Sequence, residues 1–157
     1  MNLIHGRVIL VPAMPAELLA KWQSADGAFA PEISPKWIEQ LRAAAGPDPW
    51  VLGYFVFDRQ SNTRIGSGGF KGEPGSDGVV EIAYGIDEPH QRRGYATETA
   101  MALTAFAFSD PRVRLVCAHT LPDGVASARV LEKCGFARVP DVIDPIDGLV
   151  WRFERQR

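Results

Sequence analysis

The stretch that decides the fold runs from residue 79 to residue 96 and reads VVEIAYGIDEPHQRRGYA. Its first half is rich in β-branched and aromatic residues and predicts a strand over residues 79–86. Side chains alternate along a strand, so one face is bulky and the other carries Glu81, Ala83 and Gly85. A nearly bare face with one carboxylate suits a surface on which a thin ligand lies against the backbone.

The second half of the stretch opens a long amphipathic helix that ends near residue 109. Its stripe recurs at helical spacing and consists of Ala96, Ala100, Leu103 and Ala107. The first N–H groups of a helix lack intrahelical partners and the helix dipole adds positive charge there, so this start favours an anion such as a pyrophosphate. Gly94 lets the anion approach the backbone, while Arg92 and Arg93 add cationic donors. Taken alone, the pattern more often marks a capped helix with a solvated basic edge.

The remaining patterns predict one mixed α/β domain. Before residue 79 we expect a strand at 7–11, helices at 14–23 and 35–45, and strands at 50–58 and 63–71. After the long helix we expect a strand at 115–119, a helix at 125–134 with Asp123 as its candidate N-cap and Gly135 as its stop, and strands at 136–143 and 149–153. The order β-α-α-β-β-β-α-β-α-β-β, with short turns between strands, predicts a mostly antiparallel sheet of about seven strands with four helices.

Composition excludes several classes of protein. The 157 residues are 46% hydrophobic and 23% charged, which is typical of folded proteins rather than disordered chains or coiled coils. A net charge of −2 argues against a protein that binds nucleic acid or an acidic membrane surface through a generally basic surface. Two cysteines without metal-ligand spacing predict reduced thiols, no metal site and a cytoplasmic location. We expect no signal peptide and no membrane span.

Two linked motifs carry a family resemblance. Residues 81–96, with Gln-x-x-Gly-x-Ala at 91–96, resemble the acyl-CoA-binding motif of the GNAT superfamily of N-acetyltransferases. Residues 121–136, LPDGVASARVLEKCGF, resemble the family's next motif, closest to the branch that acetylates ribosomal-protein N-termini. The resemblance implies a GNAT-like fold and a single acetyl-CoA-dependent N-acetyltransferase domain over residues 1–157.

The resemblance also implies a cofactor site. The pyrophosphate of acetyl-CoA would lie on the amides of a turn formed by Gln91, Arg92, Arg93, Gly94, Tyr95 and Ala96. The pantetheine arm would bond to the backbone of Gly85 and Ile86, in a gap between the strands at 79–86 and 115–119. Arg129, four residues before Lys133, could reach a CoA phosphate, although a solvated helix edge is the more frequent reason for that spacing.

For catalysis, the resemblance implies acetyl transfer to a primary amine by direct attack in a ternary complex. Because amines are mostly protonated at pH 7, a base is required, and Glu81 is the candidate, acting through water. The alternative is a carboxylate paired with an arginine on the sheet surface. Ser127 could assist or bind the cofactor, or could be only a local cap, and His119 could carry a proton or be structural.

Two departures from the family pattern support a rival hypothesis. Gly124 stands where the branch usually has asparagine, and Leu131 where other members have a tyrosine acid. These losses keep open a non-catalytic acyl-CoA-binding sensor or interaction module.

The acceptor would be a small-molecule or peptide amine, with no nucleic acid or membrane partner, and the sequence leaves a homodimer open. Recognition would come from the loop between the first helices, with Phe29 and Trp37, and from the last hairpin, with Asp141, Asp144 and Asp147. Plain turns are the more frequent reason for such aspartates, and core packing is the more frequent reason for such aromatic residues.

Overall fold

A computed structural model of the chain describes residues 1–23, 27–29 and 33–157. The helices are α1 (Pro15–Trp22), α2 (Pro35–Ala43), α3 (Tyr95–Ser109) and α4 (Val125–Lys133), with a short 3₁₀ turn at Glu88–His90. The strands are β1 (Leu3–His5), β2 (Val8–Pro12), β3 (Tyr54–Asp58), β4 (Arg64–Phe70), β5 (Val79–Ile86), β6 (Leu115–Thr120), β7 (Ala137–Asp144) and β8 (Gly148–Gln156).

The described strands form one sheet of eight in the order β1-β2-β3-β4-β5-β6-β8-β7. Every neighbouring pair is antiparallel except β5 and β6, which run parallel. The mixed, mostly antiparallel α/β fold is therefore confirmed. The predicted number of strands, about seven, is one short because β1 pairs with β2 in an N-terminal hairpin that turns at Gly6. With three residues, β1 is too short to show an alternating pattern.

Several predicted boundaries are wrong. Strand β8 runs to Gln156, three residues beyond the prediction, and α2 ends at Ala43, two residues before it. Residues 50–53 form a turn rather than the start of β3, because the backbone N–H groups of Val51 and Leu52 donate to the carbonyl of Asp48. Helix α4 begins after Gly124, so Asp123 is not its N-cap. Helix α3 begins at Tyr95, and residues 91–94 form the turn that leads into it.

The core lies where α3 packs on β5, β1 and β2. The predicted alternation of β5 holds, since Val80 and Ile82 are buried while Ala83 and Gly85 on the other face are exposed. In α3 the stripe is also buried at Ala100, Leu103 and Ala107, although Ala96 is only partly covered. The bare face of β5 consequently points away from α3.

Leu103 tests this packing because its side chain is fully buried in the main core cluster. We expect Leu103→Ala to lower the free energy of unfolding by about 2–5 kcal/mol through lost burial and the remaining cavity. Urea denaturation measures the loss. Leu121→Ala, at a side chain that is 49% exposed, is the matched control and should change stability by less than about 0.5 kcal/mol. Equal effects of the two substitutions would contradict the packing.

Candidate functional site

The site is built around the divergence of β5 and β6. The two strands pair over only three positions, Val79–Glu81 with Leu115–Cys117. Beyond Glu81, β5 stays paired with β4 and β6 stays paired with β8. A gap therefore opens between the ends of β5 and β6, and the edge of β5 that faces it offers backbone N–H and C=O groups to a ligand.

Small residues leave the sheet surface beside this gap free of bulky side chains. Ser67 pairs with Gly85 and Gly69 pairs with Ala83, so two small cross-strand pairs lie in succession on β4 and β5. A Cβ atom added to Gly85 would meet nothing within 4 Å. The structure thus leaves open space above Gly85 on the bare face of the sheet.

Two buried hydroxyl groups on the strands that border the gap lack a hydrogen-bond partner among the described residues. They are the Tyr84 hydroxyl on β5 and Thr120 Oγ1 on β6. Burial raises the pKa of Tyr84, so its phenol stays protonated at neutral pH. A buried polar group without a partner costs about 1–3 kcal/mol. Both strands therefore carry hydrogen-bonding groups that a polar ligand in this region would satisfy.

The turn before α3 has the geometry of an anion site. Arg92 and Gly94 both adopt left-handed backbone conformations, with φ of 64° and 85°. Among the described residues, no side chain caps the start of α3, so its first amides remain available. Gln91 Nε2 donates to the carbonyl oxygen of Ile86 at 2.8 Å and ties the turn to the end of β5. A cleft of about 440 Å³ lies here, lined by Glu88, Gln91 and Arg92.

Arg7 on the β1–β2 turn holds the start of α3 in place. Its Nε lies 3.0 Å from Glu98 Oε1 and its Nη2 donates to the carbonyl oxygen of Arg93 at 2.5 Å. The guanidinium also stacks 4.5 Å from the ring centroid of Tyr95, whose hydroxyl donates to Asp58 Oδ2 at 2.7 Å. Tyr95 is therefore a packing residue through its side chain, and only its amide faces the turn. Sequence reasoning missed Arg7 and Asp58 because both lie far along the chain from α3.

Glu81 lies at the point where the strands separate, and one of its oxygens has two partners. Oε1 is 2.9 Å from Lys71 Nζ and 2.8 Å from His119 Nδ1. The side chains of Glu81 and His119 are 23% and 20% exposed, so the pair is partly shielded from water. The alternative of a surface pair with arginine is wrong about the partners, which are a lysine and a histidine.

The last hairpin contributes Asp144 to the same region. Hydrogen bonds from the backbone N–H groups of Asp147 and Ile146 lower the pKa of Asp144, and the charges of Lys71 and His119 lower it further. Asp144 therefore makes the turn, as one of the two sequence interpretations predicted. The side chain of Asp141 and residues 24–26 and 30–32 of the first loop lie outside the described part.

A groove of about 610 Å³ lies on the bare face of the sheet. Its floor includes Gly69, Ala83 and Gly85, and aromatic walls come from α1, α2 and β3. Trp37 lines it and also packs against the core cluster that contains Leu18 and Leu41, whereas Phe29 is not among its lining residues. The charged residues of its described lining are Lys21 and Lys71.

Comparison with known proteins identifies the fold. The family model described as an acetyltransferase (GNAT) domain matches residues 9–137. The chain belongs to the GNAT acetyltransferase family. Over 120 residues, which are 76% of this chain and 69% of the other, it is 28% identical to the uncharacterized N-acetyltransferase YjdG of Bacillus subtilis strain 168.

Solved GNAT structures share the whole architecture. A putative ribosomal-protein-serine acetyltransferase from Vibrio cholerae is 20% identical with a TM-score of 0.72, covering 100% of this chain and 98% of that one. An aminoglycoside acetyltransferase in complex with coenzyme A and kanamycin is 19% identical with a TM-score of 0.71, covering 96% and 95%. The predicted recognition as a GNAT acetyltransferase is confirmed.

The acetyltransferase brings most, but not all, of the predicted site residues together. Gly85, Ile86 and the 91–96 turn follow one another along the open edge of β5. Ser127 and Arg129 are exposed on α4, and no hydrogen bond in the described part of the chain joins either to the Glu81 group. Leu131, at the position of the missing tyrosine, is buried in the core.

The two cysteines are free and buried. Burial raises the pKa of the Cys117 thiol to about 11, so it stays protonated at neutral pH and is not poised as a nucleophile. Within residues 1–23, 27–29 and 33–157, no three His, Cys, Asp or Glu side chains gather as a metal site requires. In the same residues, no helix has the length and apolar character needed to cross a bilayer.

The contacts of Arg7 with Glu98 and Tyr95, and of Tyr95 with Asp58, form a clamp on the start of α3. This clamp should make the free energy of unfolding depend on pH. Hydrogen bonds from the Ser61 backbone and then from the Tyr95 hydroxyl lower the pKa of Asp58 to about 2. A depressed folded-state pKa stabilises the protein above the unfolded value, near 4, and this contribution is lost as pH falls toward about 2. We expect Asp58→Asn to be destabilising at pH 7 and progressively less so at acid pH, measured by urea unfolding. Asp123→Asn, at an exposed loop position, is the control, and a pH-independent difference at Asp58 would contradict the assignment.

Proposed function

We propose that residues 1–157 act as a single acetyl-CoA-dependent N-acetyltransferase domain that acetylates a primary amine, on a small molecule or a peptide N-terminus. Transfer proceeds by direct attack in a ternary complex. The divergence of β5 and β6 at Glu81 carries this proposal, because it joins the anion-binding turn to a carboxylate–histidine pair and an acceptor groove. Protonated, buried cysteine thiols support direct transfer over a covalent enzyme intermediate.

The cofactor fits the residues that line the gap. The amides of Gln91–Ala96 would hold the pyrophosphate, with Arg92 and Arg93 as cationic donors. The backbone of Ile86 faces the gap and would bond to the pantetheine arm, whereas Gly85, which the sequence placed beside it, pairs with Ser67 of β4. The hydroxyls of Tyr84 and Thr120 lie on the strands that border the gap. Bound acetyl-CoA supplies the activated acyl group. The role of the chain is to orient that group beside Glu81 and the groove.

Proton removal belongs to the Glu81 region. An amine is mostly protonated at neutral pH and must lose a proton before it can attack. Glu81 and His119 lie together at the inner end of the gap, where the amine and the acyl group would meet. We therefore place the acid–base chemistry at this pair. Ser127 remains a candidate for assisting from α4.

The departures at α4 fit the packing of this chain. A Cβ at Gly124 would lie 3.0 Å from the Leu121 carbonyl oxygen and 3.4 Å from Thr120 Cβ, so an asparagine would need its neighbours to shift. Leu131 fills core space that a phenol would have to share. The two departures are thus matched to their surroundings, and the intact Glu81 pair favours the enzyme over the acyl-CoA sensor.

Cofactor binding should stabilise the fold. Acetyl-CoA at a hundredfold excess over its Kd should add about 2.7 kcal/mol to the free energy of unfolding and raise Tm. Arg92→Gln should weaken binding about fivefold, equivalent to about 1 kcal/mol, because it removes one cationic donor. Arg129→Gln, measured in parallel, tests the predicted contact from α4. Lys36→Gln on α2 is the charge-matched control, and an unchanged Tm of the wild type with acetyl-CoA would refute the cofactor assignment.

The lysines of the groove suggest a class of acceptor, which an assay of free-thiol release can test together with turnover. Of the two lysines in the described lining of the groove, Lys71 pairs with Glu81, whereas Lys21 Nζ lies over the rings of Trp22 and Phe55. We propose that acceptors carrying a carboxylate are acetylated faster than polyamines, because the carboxylate would pair with Lys21. Free-thiol release should favour a short peptide amine with an acidic side chain over the same peptide with lysine.

Lys21→Glu should reverse this preference, whereas Lys36→Glu should not. A preference that is unaffected by Lys21→Glu would remove the acceptor proposal alone. Acetyl-CoA binding without thiol release on any amine would instead support the sensor.

A further inference from the structure

The hydrogen bonds of Glu81 show how one of its two carboxylate oxygens is held. Oε1 of Glu81 lies within 3 Å of both Lys71 Nζ and His119 Nδ1. Two donors from two different parts of the chain therefore hold the carboxylate against the sheet. A carboxylate used in this way is well placed to orient a neighbouring group.

The same contacts decide the form of His119. An ionised carboxylate can only accept hydrogen bonds, so Nδ1 must carry the proton that is donated to Glu81. In the neutral imidazole the lone pair is then on Nε2. His119 shares the face of the sheet with Glu81, because Glu81 pairs with Cys117 and side chains two residues apart on β6 point the same way.

We propose that Nε2 of His119 accepts the proton of the acceptor amine and that Glu81 is a positioning residue that orients and stabilises the imidazole. This assignment rests on the proposed acetyltransferase function and deepens it. It moves the base from the carboxylate expected from the sequence to the imidazole that the carboxylate holds. His119 becomes the catalytic residue of the pair.

Two protons leave the nitrogen as the ammonium group becomes an amide. Nε2 takes one proton from the ammonium group, and the resulting imidazolium later releases it to solvent. The amine nitrogen forms a bond to the thioester carbonyl carbon as the carbon–sulfur bond breaks. The remaining excess proton on nitrogen goes to the departing sulfur, which leaves as a thiol. Acetyl-CoA and the amine are the only reactants that this scheme requires.

Charged residues from several strands surround His119. Glu81 on β5 contacts His119 directly, and Lys71 after β4 contacts Glu81. Asp144 at the end of β7 is close enough for the charge of His119 to lower its pKa. Arg152 on β8 is the cross-strand neighbour of His119, and its Nε binds Glu154 at 2.8 Å. Both signs of charge surround the ring, so an imidazolium formed during transfer has Glu81 as its contacting anion.

The test is the pH dependence of kcat/KM for the wild type, His119→Gln and Glu81→Gln. We expect His119→Gln to lose about 10²- to 10³-fold in kcat and to lose the acid limb of the profile, because the proton acceptor is gone. We expect Glu81→Gln to lose less and to keep that limb at a lower pH, because the imidazolium loses its anionic partner. A carboxylate base would reverse the two results, so that Glu81→Gln abolishes the limb and His119→Gln keeps it.

Imidazole rescue provides a second readout. His119→Ala leaves space for the free base, and added imidazole should restore part of its activity without affecting Glu81→Gln. Stabilisation by acetyl-CoA should be retained in all three variants, which shows that they fold and bind. Loss of rescue together with a wild-type pH profile in His119→Gln would overturn the role of His119. Failure of the wild type to bind acetyl-CoA or release thiol would instead overturn the proposed function.

Discussion

The parallel pairing of β5 with β6 ends after three residue pairs, and the rest of the site depends on that short contact. Each strand has a second partner that it keeps, β4 for β5 and β8 for β6. The two halves of the sheet therefore part without either strand losing its place in the fold. The last pair contains Glu81, so the carboxylate lies at the inner end of the gap. Backbone groups exposed along the gap give a ligand the hydrogen bonds that a continuous sheet would have used internally.

The start of α3 has to be held rigidly for this gap to work as a binding site. A helix N-terminus attracts an anion only over a short range, so its amides must point to one place. Arg7 meets this need by bonding to Glu98 and to the carbonyl of Arg93 while stacking on Tyr95. The clamp joins the N-terminal hairpin to the turn before α3, and through Asp58 it also joins the end of β3. A packing network thereby sets the position of the amides that we propose as the anion site.

Much of this arrangement was predictable from local patterns. The strand over residues 79–86 was predicted with the observed bounds, because its alternation and its β-branched residues agree with its burial. Helix α3 was also predicted, apart from its first turn. The three residues of β1 are too few to show a period, and the side chain of Asp123 has the chemistry of an N-cap although Gly124 occupies that position. The partners of Glu81 were not predictable, since His119 is 38 residues away and meets it only through parallel pairing.

The sequence by itself determined the family, the strand–turn–helix segment and the carboxylate on the bare face. Those features depend on residue type at short spacing, where side-chain alternation and helix periodicity act. Only the tertiary structure decided what Glu81 contacts, what holds α3 and which charges line the groove. Lys71, His119 and Arg7 reach their partners across strands or turns, and such meetings depend on the register of the whole sheet. Register is set by the burial of every strand at once, so no single segment of the sequence contains it.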